Sequence, residues 1–247
     1  MAARASVIDR RPSRRDRISF LSRGLPIPPP SLRTKVVRNA DALNFLTSGR
    51  NHYEFITSML ERNGVTPGDS VLDFGCGCGR VLRWWWLNGF EPELSGTDIN
   101  PDLIDWCRHN LPFVEAAVND ELPPLAFEDD RFDLIYTISI FTHLPEARQR
   151  LWLDELMRTV KPGGHLLFTV AGSAYAETLT PEDRGRYEDG ELVVHFDEQP
   201  GSNLCAVYHP RSYVERLVDG LELIDAFSGD PDQNMRQDAY LLRKPLA

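Results

Sequence analysis

The sequence predicts an α/β fold in which a mostly parallel sheet is covered by helices on both faces. Three observations point there. Between residues 71 and 170, short apolar runs alternate with segments of helical spacing, and parallel neighbours need crossover connections that helices supply. A chain of 247 residues, 42% of them apolar, can bury a substantial core and sits near the upper end of one α/β domain. The stretch VLDFGCGCGR, residues 71–80, closes an apolar run with glycines at every second position, as expected where a strand turns into a helix and brings bare backbone close to a ligand.

The elements follow in order. Consecutive prolines in PIPPPS, residues 26–31, favour extended geometry, and order is expected to begin after them. Apolar positions from Leu43 to Leu60 recur at three-to-four spacing with a Ser-Gly break at 48–49, which predicts two helices. Residues 71–74 are a buried strand, 81–88 a helix, 93–98 a strand and 102–110 a helix. Residues 113–118 and 132–139 are strands, and 146–160 is a periodic helix closed by Lys161-Pro162-Gly163-Gly164 before a strand at 165–170. The last third departs from the alternation. Residues 191–196 and 204–208 predict a hairpin joined through DEQPGSN, followed by a helix at 210–217 and strands at 221–227 and 239–243.

Charge is distributed unevenly. Residues 1–38 hold ten Lys or Arg against two acidic residues, and the remainder holds seventeen against thirty-five, so a basic arm of +8 precedes a body of −18. An acidic body repels a phosphate backbone, and no nucleic-acid partner is expected. Residues 1–38 are expected to be a disordered tail ahead of one domain at 39–247. Arg14 and Arg15 are followed by a segment too short and too proline-rich to be an export signal, and the Arg-rich start has transit-peptide composition without an evident amphipathic helix. No run reaches the ~18 apolar residues of a membrane span. Cys76, Cys78, Cys107 and Cys205 form no regular framework, which argues for a reducing, cytoplasmic setting. The C-x-C pair lacks the further ligands zinc requires, so no metal is expected. Trp84, Trp85 and Trp86 span most of a helical turn, and at least one of them should be partly exposed.

The glycine turn is not the dinucleotide fingerprint, because Arg80 stands at its third glycine position, nor a Walker loop, because no Gly-Lys-Ser/Thr closes it. The pattern Asp73-x-Gly75-x-Gly77-x-Gly79 resembles the signature of class I S-adenosylmethionine-dependent methyltransferases. That resemblance spans roughly residues 65–170 and implies a Rossmann-like three-layer sandwich with a seven-stranded, mostly parallel sheet and an antiparallel C-terminal strand. It also implies S-adenosylmethionine as cofactor and S-adenosylhomocysteine as product. Asp98, nineteen residues past Gly79, corresponds to the carboxylate that grips both ribose hydroxyls. Asn119 and Asp120 fall where the adenine amine is met, with Asp120 preferred and Glu121 a competitor. Ser139, Ile140 and Phe141 fall in the loop lining the adenine and methionine pocket, and Cys76 and Ile99 fall beside the matching positions. Asp73 resembles the residue that approaches the methionine amino group, and Arg80 either pairs the methionine carboxylate or forms a surface ion pair.

The resemblance further implies lid helices at 39–64 and an acceptor-side insertion at 172–210. Among six histidines, His143 in the loop beyond strand four and His209 in the insertion are the candidate bases, the alternative for His143 being a pocket-shaping residue. The family's Asn/Asp-Pro-Pro-aromatic tetrad and its Pro-Cys nucleophile are missing, which leaves a small-molecule or glycan acceptor, with an oxygen nucleophile preferred over an amine or a protein. A nicotinamide oxidoreductase and a non-catalytic cofactor-binding protein are the rival readings.

Overall fold

The alternating pattern builds a sheet whose central strand is buried on both faces. The structure is a computed structural model that describes residues 13–90, 93–196, 205–230 and 235–246. Its strands are β1 (Ser70–Phe74), β2 (Glu93–Asp98), β3 (Val114–Val118), β4 (Phe132–Thr137), β5 (Val160–Val170), β6 (Val193–His195), β7 (Ala206–Tyr208), β8 (Glu222–Phe227) and β9 (Asp238–Arg243). Seven of them form one sheet in the order β3-β2-β1-β4-β5-β9-β8. Strands β1 to β5 pair in parallel, whereas β9 is antiparallel to both β5 and β8. This is the expected sheet with its antiparallel C-terminal strand.

Side-chain alternation sorts the core into two layers. Leu72 and Phe74 of β1 join Leu166 and Phe168 of β5 on one face, with Trp152, Leu153 and Leu156 from a helix at Glu146–Thr159. Val71, Leu134, Tyr136 and Leu167 face the other way, toward Ile56, Trp85 and Ile104. Five of the helices are α1 (Arg14–Ser22), α2 (Pro30–Val37), α3 (Ala42–Arg62), α4 (Leu82–Leu87) and α5 (Pro101–Asn110). Trp84 and Trp85 are buried, while Trp86, 44% exposed, stacks on Phe113 at 4.6 Å.

Three departures from the sequence-based expectation have physical causes. Residues 42–62 form one helix rather than two. Gly49 is present because a Cβ there would overlap the Arg80 carbonyl oxygen, so the glycine marks a close approach and not a break. Lys161 to Gly164 belong to β5 rather than to a turn before it: Gly163 N–H donates to the Lys244 carbonyl at 2.8 Å, and Lys244 N–H to the Gly164 carbonyl at 2.9 Å. The segment expected to be a disordered tail carries α1 and α2. Ser13 and Asp16 form a capping box at the start of α1, and Pro30 sits at the first position of α2, where its missing N–H costs nothing. Leu21, Ile18, Leu32 and Val36 then pack against Phe45, Leu46 and Trp84. Residues 1–12 lie outside the described residues.

The segment 172–210 contains α7 (Ser173–Ala176), α8 (Pro181–Glu188) and a separate antiparallel pair of β6 and β7. The connection expected at 197–203 lies outside the described residues. The helix expected at 210–217 is α9 in the chain-order series of helices, Arg211–Leu217.

Gly49→Ala tests the close approach. Helix propensity alone would favour alanine by about 1 kcal/mol, but overlap with a backbone oxygen should outweigh it and leave the variant about 1–3 kcal/mol less stable in urea unfolding. A more stable variant would show that α3 and the glycine turn are not in contact.

Candidate functional site

A cavity of about 790 Å³ opens at the carboxyl edge of the sheet, walled by residues that follow β1, β2, β3 and β4. Strand order reverses between β1 and β4, which is where open α/β sheets bind ligands. Helix α2 and α3 close one side through Val36 and His52, and the 172–210 segment borders the other through Tyr175 and Tyr208.

The glycine turn has an unexpected character. Gly75, Gly77 and Gly79 all have positive φ, at 80°, 57° and 70°, values that only glycine adopts without cost. Four of its donors, however, are spent inside the protein. The Gly75 and Cys76 N–H groups both donate to the Thr97 carbonyl at 2.8 Å, and Gly79 N–H donates to the Cys76 carbonyl at 3.0 Å. Gly77 N–H donates to Asp98 Oδ2 at 2.9 Å. A pyrophosphate needs such donors free; here Gly75 and Gly77 border the cavity with their main chain, and the space a Cβ would take is filled by Ile140 over Gly75 and by Val36 over Gly77.

Asp98 ends β2 and holds two backbone donors, Gly77 N–H and, through Oδ1, the Asn100 N–H at 2.8 Å. Each carboxylate oxygen keeps a further lone pair, so the group can still accept from a diol. Burial raises its pKa against the pull of those two hydrogen bonds. At the end of β3, Asn119 donates from Nδ2 to the Asp120 carbonyl at 2.8 Å, while its Oδ1 is buried without a partner. Asp120 is exposed. The amide oxygen of Asn119, not the carboxylate of Asp120, is therefore the acceptor that lacks a donor. Ile99, 41% exposed, presents an apolar side chain on the same wall.

Behind the turn lies a set of buried charges. Burial pushes Asp73 up to about 7, opposed by the Tyr136 hydroxyl and by Arg80; Tyr136 donates to Asp73 Oδ2 at 3.0 Å. Arg80 borders the cavity and is partly buried, and desolvation lowers its pKa. It donates from Nη1 to His52 Nδ1 at 2.6 Å, leaves Nε unpartnered, and makes none of the ion pairs found among the described residues. His52 is held neutral, its pKa depressed by burial and by Arg80. The surface ion pair considered for Arg80 is thus replaced by a partly buried cation short of an anion.

Beyond β4, Ser139 has φ 64° and begins the loop that carries a short 3-10 turn, Phe141–His143. His143 borders the cavity. Its Nδ1 meets the Cys205 carbonyl, and because a carbonyl only accepts, Nδ1 bears the proton and Nε2 is left basic. Burial lowers its pKa from 6.5, so the ring is neutral near pH 7.

The expected site residues divide accordingly. Gly75, Gly77, Arg80, Asp98, Ile99 and Asn119 border the cavity, as do Asp120, Ser139, Ile140 and His143. Asp73, Cys76, Gly79, Phe141 and His209 are not among the bordering residues. Cys76 is buried with its thiol toward the Gly77 carbonyl at 3.5 Å. Gly79 faces Leu111, and Phe141 packs on Phe168. His209 is fully buried, with both ring nitrogens unpartnered and its pKa pushed down by burial to about 3, so it cannot serve as the base expected of it. Val36 and Gln237 were not expected. The three-to-four spacing of Ile18, Leu21, Leu32 and Val36 could have signalled the first; no local pattern signals the second.

Residues 71–164 match the sequence family described as a methyltransferase domain. Over these residues the chain is similar to methyltransferase domains. It is 28% identical over 156 residues to a 2-methyl-6-phytyl-1,4-hydroquinone methyltransferase of Synechocystis, covering 60% of this chain and 43% of that protein. It is 34% identical over 140 residues to a ubiquinone/menaquinone biosynthesis C-methyltransferase of Laribacter hongkongensis, covering 53% and 55% respectively. The chain thus spans about half the length of these relatives. Its fold is similar to that of an S-adenosylmethionine-dependent methyltransferase of Methanosarcina mazei, with a TM-score of 0.57, 19% identity, and coverage of 76% of this chain and 98% of the other. The domain and fold imply S-adenosylmethionine as cofactor. The residues present fit it: Gly75 and Gly77 at the cavity wall, the unpartnered Asn119 Oδ1, and an Arg80 whose buried Nε has no partner.

Asp73 gives this fit a pH signature. A ligand bringing positive charge favours the ionised carboxylate, so affinity is complete above the ligand-free value of about 7 and falls by about tenfold per unit below it. Calorimetric titration of S-adenosylhomocysteine across pH 5.5–8.5 should show this fall, with proton release at the acidic end, and an affinity independent of pH would remove Asp73 from the ligand's field. Asp98→Ala should weaken the same binding by about 1.5–3 kcal/mol and also lower the thermal midpoint, since two backbone donors lose their acceptor. Unchanged affinity would take Asp98 out of the site.

Proposed function

We propose that this chain transfers a methyl group from S-adenosylmethionine to an oxygen nucleophile on a small molecule or sugar. The bound cofactor supplies an electrophilic sulfonium methyl. The protein's own part is to seat the adenosyl group, exclude water and receive a proton. Asp98 is assigned to the ribose hydroxyls, Asn119 to the adenine amine, Arg80 to the amino-acid carboxylate, and Asp73 to the nearby positive charge.

The observation that carries the oxygen assignment is His143. A neutral imidazole with Nδ1–H fixed on the Cys205 carbonyl has Nε2 ready to take up the proton that an acceptor hydroxyl loses. A neutral amine needs no such help. The relatives named for hydroquinone and ubiquinone/menaquinone methylation support a small-molecule acceptor, and the acidic body supports the exclusion of nucleic acid. The 172–210 segment is assigned to acceptor choice, because Tyr175 and Tyr208 face the cavity from it. The cysteines, all free and buried, are in keeping with a cytoplasmic setting. Among the described residues no helix is long and apolar enough to cross a membrane.

Radiolabelled methyl donor offered to separate pools of hydroxylated small molecules, sugars, amines and proteins should label a hydroxylated pool. His143→Ala should then lower kcat by about 10²–10⁴-fold while S-adenosylhomocysteine affinity stays unchanged. Label confined to amines or proteins, or full turnover without His143, would contradict the oxygen assignment. Product binding with no labelled pool would favour a non-catalytic binding protein.

A further inference from the structure

A polar chain joins the loop after β4 to β5 and to the residue before β9. Ser139 N–H donates to Thr169 Oγ1 at 2.9 Å, and Thr169 Oγ1 donates to Gln237 Oε1 at 2.7 Å. With its amide oxygen so engaged, Gln237 donates from Nε2 to Ser139 Oγ. Ser139 Oγ is therefore an acceptor within the protein, and among the described residues nothing accepts its own hydrogen. Thr169 is fully buried, whereas Ser139 and Gln237 both border the cavity. The Ser139 backbone is held as well, since the Thr142 hydroxyl donates to its carbonyl at 2.8 Å. The next side chain, Ile140, lies over Gly75, and Gly75 and Ser139 border the same cavity.

We propose that Gln237 is a positioning residue of the cofactor site, holding the Ser139 hydroxyl as a donor to the amino-acid carboxylate of S-adenosylmethionine. The inference rests on the methyltransferase reading. A hydroxyl already accepting from an amide is left to donate, and the ammonium and sulfonium groups of the cofactor accept nothing. Its ribose and adenine are assigned to Asp98 and Asn119 at the ends of β2 and β3, on the other side of β1 in the sheet order. The carboxylate is the acceptor that remains for a donor beyond β4. Gln237 and Ser139 are 98 residues apart, so the residue before the C-terminal strand would take part in a cofactor site whose other assigned residues lie between Asp73 and Ser139.

The test compares S-adenosylhomocysteine with 5′-methylthioadenosine, which lacks the amino-acid group, in calorimetric titrations of wild type, Ser139→Ala, Gln237→Glu and the double variant. An ionised glutamate can only accept, so it would draw the Ser139 hydrogen to itself. Each single variant should lose about tenfold or more in S-adenosylhomocysteine affinity and keep its methylthioadenosine affinity, which also reports a folded site. The double variant should bind no more weakly than Ser139→Ala. The deficit of Gln237→Glu relative to wild type should shrink as pH falls through the glutamate pKa, because a protonated carboxyl donates as the amide did. An unchanged S-adenosylhomocysteine affinity, an equal loss for both ligands, additive losses in the double variant or a deficit independent of pH would each overturn the inference. Failure of wild type to bind either ligand would instead overturn the methyltransferase reading, and this inference with it.

Discussion

The geometry of the site depends on one hydrogen bond, from the Gly77 N–H to the Asp98 carboxylate. It fastens the turn after β1 to the end of β2, alongside the Thr97 carbonyl that takes the Gly75 and Cys76 donors. The turn can be held this tightly only with left-handed backbone at alternate positions, which is why glycines recur there. Once held, it has spent four of the donors an anion would need and borders the cavity beside a carboxylate. The same Asp98 that shapes the turn borders the cavity with unused lone pairs. The structural role and the proposed binding role fall on one side chain because both need an acceptor at the same strand end.

The charges behind the turn suit a ligand that is itself dipolar. Burying an ion without a close partner is costly, and proteins answer by shifting pKa values or by binding a counter-charge. Here Asp73 is shifted upward and His52 is kept neutral, whereas Arg80 stays cationic with one free buried nitrogen. An amino-acid group carries a carboxylate for Arg80 and a positive charge for Asp73, so it compensates both. A neutral or purely anionic ligand would compensate one at most.

Much of the scaffold was legible in the sequence. The runs at 71–74 and 132–139 are apolar because both faces of a central parallel strand are covered, and the spacing of Asp98 from the glycines matches its position at the end of β2, bonded to Gly77. What escaped depends on contacts between distant segments. Arginine-rich composition concealed the apolar positions of α1 and α2, which become ordered only against Phe45, Leu46 and Trp84. Gly49 looked like a helix break because the Arg80 carbonyl that excludes a side chain lies 31 residues away. Asp120 was preferred to Asn119 on charge, whereas burial left the Asn119 oxygen as the unpartnered acceptor. His209 was selected for its place in the insertion, and its complete burial is a tertiary fact that no local pattern records.

The most direct measurement of the central claim is a paired calorimetric titration of the wild-type protein with S-adenosylhomocysteine and with NAD at neutral pH. A turn with four donors already spent, next to a dipolar charge set, predicts saturable one-to-one binding of S-adenosylhomocysteine and no heat of binding from the dinucleotide. Binding of NAD with S-adenosylhomocysteine inert would contradict the account, because it would require the glycine turn to release the very donors that hold its shape.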